Sequence, residues 1–185
     1  MNKRIVLAGV LGGVAMFIWS SIAHMVLPLG QVGIREFPND AALLKSMQAK
    51  LGQTSGFYFF PARDQLQASN PSGILIYHPS TAMELTPGQL ITEFATEFAE
   101  ALLLAWLLAH TRLSGYLSLV GFTVIVAVLG GLVTNVSYWN WYGFPGSYTL
   151  AYMTTEIVGL LLAGAVAARF VSPTVPRALS AAATP

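Results

Sequence analysis

Three glutamates recur along an otherwise apolar segment, residues 91–110, whose sequence is ITEFATEFAEALLLAWLLAH. Glu93, Glu97 and Glu100 are spaced i, i+4 and i+7, so in a helix they share one face. A charged side chain near the centre of a bilayer costs about 2.5–3.5 kcal/mol on insertion scales. We therefore expect this face to turn away from lipid and toward the interior of a helical bundle.

Polar side chains stand at a matching depth in the other long apolar segments. Each of these segments is polar in one half and apolar in the other, which predicts a pocket that is open on one side of a membrane and closed by Leu, Val and Ala on the other. The candidate ligand-binding residues are Glu93, Glu97, Glu100, Glu156, His24, Asn135, Tyr152, Trp139 and Trp141.

Several chemistries suit such a pocket, and the residues leave them open. His24, Glu97, Glu100 and Glu156 are hard or borderline metal ligands. However, the Glu-x-x-His pattern of carboxylate-bundle di-metal proteins does not occur in the sequence. A protonated glutamate beside an ionised one could act as acid and base on a lipophilic substrate. Proton or cation translocation is a third use, although the apolar halves offer no continuation of a pathway.

The acids could instead be structural, forming a hydrogen-bonded network that ties helices together. Intramembrane ionisable residues are by default candidates for function, so we favour a site over a purely structural network. The residues assign no catalytic group and imply no cofactor strongly.

An aromatic segment, residues 138–148 with the sequence YWNWYGFPGSY, contains Trp139 and Trp141. Tryptophan and tyrosine are enriched at both membrane interfaces, so an aromatic belt explains most of these residues. The segment is denser in aromatic residues than a belt requires, so it could also form a lid over the pocket.

The composition is typical of a membrane protein. Of 185 residues, 55% are hydrophobic and only 9% are charged, whereas soluble domains average about 25% charged residues. The absence of cysteine excludes disulfides, thiolate metal sites and cysteine nucleophiles. A net charge of +1 gives no reason to expect nucleic acid as a partner. Membrane lipids, and either a homo-oligomer or a larger membrane complex, are the partners that remain.

Four apolar runs are long enough to cross a bilayer, which takes about 20 helical residues. They cover approximately residues 5–27, 88–109, 116–138 and 148–170. The sequence thus predicts an all-α, four-transmembrane-helix bundle in one membrane domain, residues 1–185. A small extracytoplasmic α+β insertion, residues 28–87, separates the first two helices, and a disordered tail follows over 171–185.

The first run also resembles a secretory signal peptide, because basic residues precede it and Ser21-Ile22-Ala23 could serve as a cleavage site. We expect it to be retained as a helix. The basic residues that flank four crossings then fall on one side, which predicts a multi-pass bacterial inner-membrane protein with both termini in the cytoplasm. These residues are Lys3, Arg4, Arg112, Arg169 and Arg177.

The insertion carries signals for a helix and two strands. Asn39 or Asp40 could begin a helix that ends at Gly52, with Leu44, Met47 and Leu51 on one face. The runs GFYFFP and GILIYHP predict two short strands, and the polar stretch between them suits a hairpin. The alternative is that FYFF is an interfacial anchor without strand structure.

The second apolar run has a well-marked beginning. Thr86 is expected as the N-cap, Pro87 as the first helical residue and Gln89 as the capping-box partner.

Pairs of small residues four apart mark close-packing faces, which serve either contacts within the chain or oligomerisation. These pairs are Gly9 with Gly13, Gly159 with Ala163, and Gly164 with Ala168.

Four stretches together resemble small bacterial four-helix inner-membrane proteins of unknown function. They are FIWSSIAHMVLPLG, SGFYFFP, EFATEFAEALLLAWLLA and NWYGFPGSYTLAYMTTE. The resemblance concerns the architecture and implies no catalytic residues. The sequence as a whole predicts an integral membrane ligand-binding or accessory protein with a periplasm-facing acidic and aromatic pocket. An intramembrane acid–base or metal-dependent enzyme and a structural subunit of a larger complex are the alternatives.

Overall fold

The computed structural model describes residues 2–38, 40–79 and 85–171, and 71% of the chain is helical. The helices are α1 (Lys3–Met25), α2 (Ala41–Leu51), α3 (Pro87–His110), α4 (Tyr116–Gly131), α5 (Ser137–Tyr142) and α6 (Gly146–Val171), and the strands are β1 (Gly56–Phe60) and β2 (Gly73–Tyr77). A π-helical turn, Leu132–Val136, joins α4 to α5. The candidate cap Asn39, the basic residue Arg177 and all but the first residue of the predicted tail lie outside the described residues.

Three helices are long and apolar enough to cross a membrane, which indicates a membrane protein. They are α1, the continuous stretch Tyr116–Tyr142 and α6, with mean hydropathies of 2.1, 2.3 and 1.7. Helix α3 is comparable in length at 24 residues, but its three glutamates set it apart from these three.

Helix α3 begins as the sequence predicts. The Thr86 hydroxyl accepts a hydrogen bond from the backbone N–H of Gln89 at 3.2 Å. The Gln89 side-chain oxygen in turn accepts one from the backbone N–H of Thr86 at 2.8 Å. Pro87 occupies the first turn, where its missing N–H costs nothing. The capping box therefore fixes the position of every glutamate that follows along α3.

Helix α1 packs against both α3 and α6, and α6 also packs along α4. The shared core consists of small and branched side chains, including Ala8, Met16, Ala101, Leu104, Leu108, Leu119, Ala163 and Ala167. By contrast, α3 and α4 make few contacts with each other. The four long helices therefore pack in the order α3, α1, α6, α4, and a gap remains between α3 and α4.

The small-residue faces serve contacts within the chain. A Cβ atom added at Gly9 would lie 2.8 Å from the Cα of Leu102, and one added at Gly13 would lie 2.8 Å from the Cα of Phe98. On α6, Gly164 is held against the side chain of Thr123 in α4. Glycine at these positions lets the helix backbones approach closely in the absence of a strong hydrophobic driving force.

The two predicted strands form an antiparallel hairpin. Gly56 lies opposite Tyr77, and Phe60 lies opposite Gly73. The hairpin interpretation of the aromatic run is therefore confirmed. The Tyr77 hydroxyl donates a hydrogen bond to the backbone carbonyl of Gly52 at 3.0 Å, which joins β2 to the end of α2.

Helix α2 begins after Asp40 and ends at Gly52, whose φ of +59° favours glycine. The half-buried face of this helix consists of Leu43, Met47 and Leu51. Leu44, which the sequence pattern placed on that face, is 51% exposed. At about 100° per residue, both the observed i, i+4, i+8 set and the expected i, i+3, i+7 set span less than a third of the helix circumference, so periodicity alone does not distinguish them.

Candidate functional site

A cavity of about 160 Å³ lies among α1, α3 and α6 and is lined by the three glutamates of α3 and by Glu156 of α6. We call it the glutamate cavity, and the residues that define it are Glu93, Glu97, Glu100, Glu156, His24 and Tyr152. The structure thus brings together six of the nine candidate ligand-binding residues from three separate parts of the chain.

Glu97 is the most deeply placed of these acids. Its side chain is only 7% exposed, and its Oε2 atom has no hydrogen-bond partner among the residues that the structure describes. Leaving a buried polar group unpaired costs about 1–3 kcal/mol. Because Glu97 lines the cavity, its carboxyl group is suited to receiving a hydrogen bond or a positive charge from a ligand.

Glu93 and Glu100 also line the cavity, but both are exposed. The inward face of α3 is therefore centred on Glu97, and the other two acids stand at its edges. The expectation that all three turn inward holds fully for Glu97 alone.

Glu156 is held by Asn135, which lies in the π-helical turn. The Asn135 side-chain amide donates to Glu156 Oε2 at 2.6 Å and to the backbone carbonyl of Gly131 at 3.2 Å. Asn135 is 6% exposed and is not among the residues that line the glutamate cavity. A π-turn inserts one residue into a helix and is frequent at functional sites. Sequence reasoning missed this turn, and Asn135 positions Glu156 rather than lining the cavity.

Replacing Asn135 with leucine should destabilise the protein by about 0.6–2 kcal/mol, the range found for interhelical hydrogen bonds in membranes. Once Glu156 is also replaced by leucine, the same change should cost little, because no carboxyl group is left unpaired. The measurement is the free energy of unfolding in mixed micelles for the four proteins of the double-mutant cycle. Thr134→Val, beside Asn135 on the exposed side, is the control. An equal loss in both backgrounds would mean that the hydrogen bond contributes nothing.

Trp19 closes the inner end of the cavity. Its indole N–H donates to the backbone carbonyl of Thr155 at 2.9 Å, which ties α1 to α6. Met16 and Gly159 lie beside it. Sequence reasoning missed Trp19, because a spacing of five residues places it about 140° around a helix from His24, so periodicity gave no signal that both line one cavity.

His24 and Tyr152 stand where the glutamate cavity meets a wider one. Their rings lie 6.2 Å apart and nearly perpendicular, and Tyr152 stacks on Tyr148 at 4.7 Å. The wider cavity, of about 310 Å³, lies between the end of α1 and the beginning of α3. We call it the mouth cavity. His24, Tyr152, Ser20 and Glu93 line both cavities, so the mouth cavity gives access to the acids.

A third cavity lies in the gap between α3 and α4 and has a volume of about 290 Å³. We call it the α3–α4 groove. Its walls are mostly apolar, and it shares Glu100 and Glu156 with the glutamate cavity. The lining residues are Leu103, Leu104, Leu107, Val126, Gly130, Thr134 and Leu160, together with these two acids. The sequence predicted closure by apolar residues and did not reveal this sideways opening.

Trp139 and Trp141 lie away from the glutamate cavity. Trp141 lines a separate space of about 780 Å³ between the hairpin and the aromatic segment, and Trp139 is 52% exposed. The rings of Phe57 and Phe59 in β1 lie 5.9 and 6.3 Å from that of Tyr142. The aromatic segment therefore packs against the hairpin.

The acids do not converge as metal ligands do. Within residues 2–38, 40–79 and 85–171, no group of three or more His, Asp or Glu side chains is placed to hold a metal ion. The four candidate ligands, His24, Glu97, Glu100 and Glu156, share a cavity without forming a coordination shell.

The chain matches no family model, no curated protein and no solved structure.

Proposed function

We propose that this chain is an integral membrane protein that binds a ligand in the glutamate cavity. The observation that carries the proposal is Glu97, which lines the cavity, is 7% exposed and has a carboxyl oxygen with no hydrogen-bond partner among the described residues. A protein that used its acids only to join helices would pair that oxygen, because an unpaired buried polar group is destabilising. The mouth cavity supplies a route by which a ligand reaches Glu97.

The proposed arrangement has four crossings, namely α1, α3, the α4–α5 stretch and α6. Helix α3 is about 36 Å long at 1.5 Å per residue, which is enough to span a hydrocarbon core. Its packing along α1 and α6 supports its inclusion in the bundle. The hairpin and α2 would then lie outside a bacterial inner membrane with both termini in the cytoplasm, as the basic residues favour.

A structural-subunit role has less support. The glycine faces that could have bound partner helices are occupied by contacts with α1, α3 and α4 within the chain. The Asn135–Glu156 hydrogen bond is the contact expected of a structural network, but it involves only one of the four acids. Acid–base catalysis at the same acids would require that the ligand be a substrate, and ligand binding is the common first step.

Native mass spectrometry of the protein released from mild detergent, with elemental analysis, tests the proposal. We expect a stoichiometric small-molecule adduct on the wild-type protein that is lost in Glu97→Gln. The matched control is Glu36→Gln, which changes an exposed acid outside the bundle and should retain the adduct. A bare chain for all three proteins, or an adduct that persists in Glu97→Gln, would contradict ligand binding at this cavity.

A further inference from the structure

The glutamate cavity and the α3–α4 groove are neighbouring cavities with different linings, separated by the side chains of Glu100 and Glu156. Glu100 and Glu156 line both, so a ligand at the acids can extend between α3 and α4 without leaving the protein surface. The glutamate cavity is polar, whereas the groove is bordered chiefly by leucine and valine. A ligand that fills both must be amphipathic.

We propose that this ligand is an amphipathic cation, with an ammonium group paired with Glu97 and an alkyl chain that passes Glu100 and Glu156 into the α3–α4 groove. This inference rests on the proposed ligand-binding function and specifies the chemical class of the ligand.

The charge of the cavity favours a cationic head group. Within the described parts of the chain, no Lys or Arg side chain lines the glutamate cavity, although four glutamates do. An ammonium group there would donate to the unpaired Glu97 oxygen, and hydrogen bonds between ionised groups are about twice as strong as neutral ones. A carboxylate or phosphate head group would instead be repelled by the acids. An inorganic cation is disfavoured because the acids do not form a coordination shell.

Two aromatic side chains beside the acids add to this preference. Trp19 and Tyr152 line the glutamate cavity, and the faces of such rings attract organic cations, tryptophan most strongly. An ammonium group that is partly surrounded by aromatic rings and carboxylates keeps favourable contacts on several sides after it leaves water.

The groove suits an alkyl chain that enters from the bilayer. Leu103 is 63% exposed and Leu107 is 40% exposed, so the groove is open to the surrounding lipid. From Glu100 to Leu107 the groove runs about 10 Å along α3, at 1.5 Å per residue. A chain bound there would replace lipid against α3 and α4 while its head group reached the acids from the side.

Photo-crosslinking with a dodecylamine that carries a diazirine at its chain end tests both parts of the proposal. The protein is reconstituted in phosphatidylcholine nanodiscs, and labelled residues are located by peptide mass spectrometry. We expect labelling in the segments that contain Leu103, Leu107 and Val126. The amine should label them about tenfold more than the matching dodecanol or dodecanoic acid probes. One charge-assisted hydrogen bond contributes at least about 1.4 kcal/mol, which corresponds to a tenfold gain in binding affinity. Unlabelled dodecylamine should compete in the wild-type protein, which requires no variant to fold.

Two variants and one control locate the binding site. Glu97→Gln should reduce labelling by the amine to the level of the alcohol. Leu107→Trp should block the groove and reduce its labelling, whereas Ile125→Trp, on a 66% exposed part of α4 outside the groove lining, should not. The position of the label in each case shows where the chain lies.

Two results would overturn the inference. Equal groove labelling by the amine, the alcohol and the acid would show only that the groove is exposed to lipid. Labelling by the amine at the mouth cavity alone would show that the chain does not lie between α3 and α4. If either result accompanied a Glu97-dependent adduct in native mass spectrometry, the ligand-binding function would stand and its ligand would not be an amphipathic cation.

Discussion

Gly13→Leu should destabilise the protein by about 3 kcal/mol or more, at the upper end of the usual cost of overpacking. A Cβ atom at this position would lie 2.8 Å from the Cα of Phe98. Because the obstacle is backbone, no side-chain rotation can relieve the contact, and α1 and α3 would have to separate. Since α1 and α3 form two walls of the glutamate cavity, the variant should lose ligand binding as well.

The thermal unfolding midpoint in detergent, compared between Gly13→Leu and Gly121→Leu, measures this effect. Gly121 is an exposed glycine of α4 where an added Cβ would meet no described atom within 4 Å beyond its own helix. Both changes raise helix propensity by a similar amount, up to about 1 kcal/mol, so their difference reports packing. Equal midpoints would mean that the close approach of α1 to α3 is absent in the protein.

Glu97→Met should have the opposite effect on stability. Removing the carboxyl eliminates a buried oxygen that has no described partner, and methionine fills a similar volume, so we expect a gain of about 1–3 kcal/mol. The same variant should lose the ligand. A more stable protein that no longer binds would fit a site that natural proteins maintain at the expense of stability.

Glu156→Met is the matched comparison, because it replaces a glutamate of the same cavity that has a partner. It removes the 2.6 Å hydrogen bond from Asn135 and leaves that buried amide with only its contact to Gly131. We therefore expect Glu156→Met to lower the free energy of unfolding in mixed micelles and Glu97→Met to raise it. If Glu97→Met were as destabilising as Glu156→Met, Glu97 would be a structural residue and the proposed function would fail.

These opposite expected changes in the free energy of unfolding also distinguish the roles of Glu97 and Glu156, which the sequence could not separate. Both are glutamates in apolar helices and at a similar depth. Their difference comes from one asparagine in the π-helical turn, 21 residues before Glu156. Helix periodicity did not reveal this, because a π-turn shifts every later side chain out of the regular 3.6-residue pattern.

The sequence by itself determined the elements and much of their placement. The capping box at Thr86, the hairpin strands and the three strongly apolar helices follow from local propensity and from side-chain periodicity, which depend on residues close together in the chain. The spacing of Glu93, Glu97 and Glu100 on one face of α3 is equally local. These features were predictable because no distant part of the chain is needed to produce them.

Only the tertiary structure decided which acid is buried and how the cavity opens. Glu97 points inward because Gly9 and Gly13 let α3 pack closely on α1, which sets the rotation of α3. The groove exists because α4 packs on α6 and hardly touches α3. In lipid, the lateral order of helices depends on van der Waals fit between surfaces that are distant in sequence. The residue pattern of a single helix therefore does not predict which helices are its neighbours.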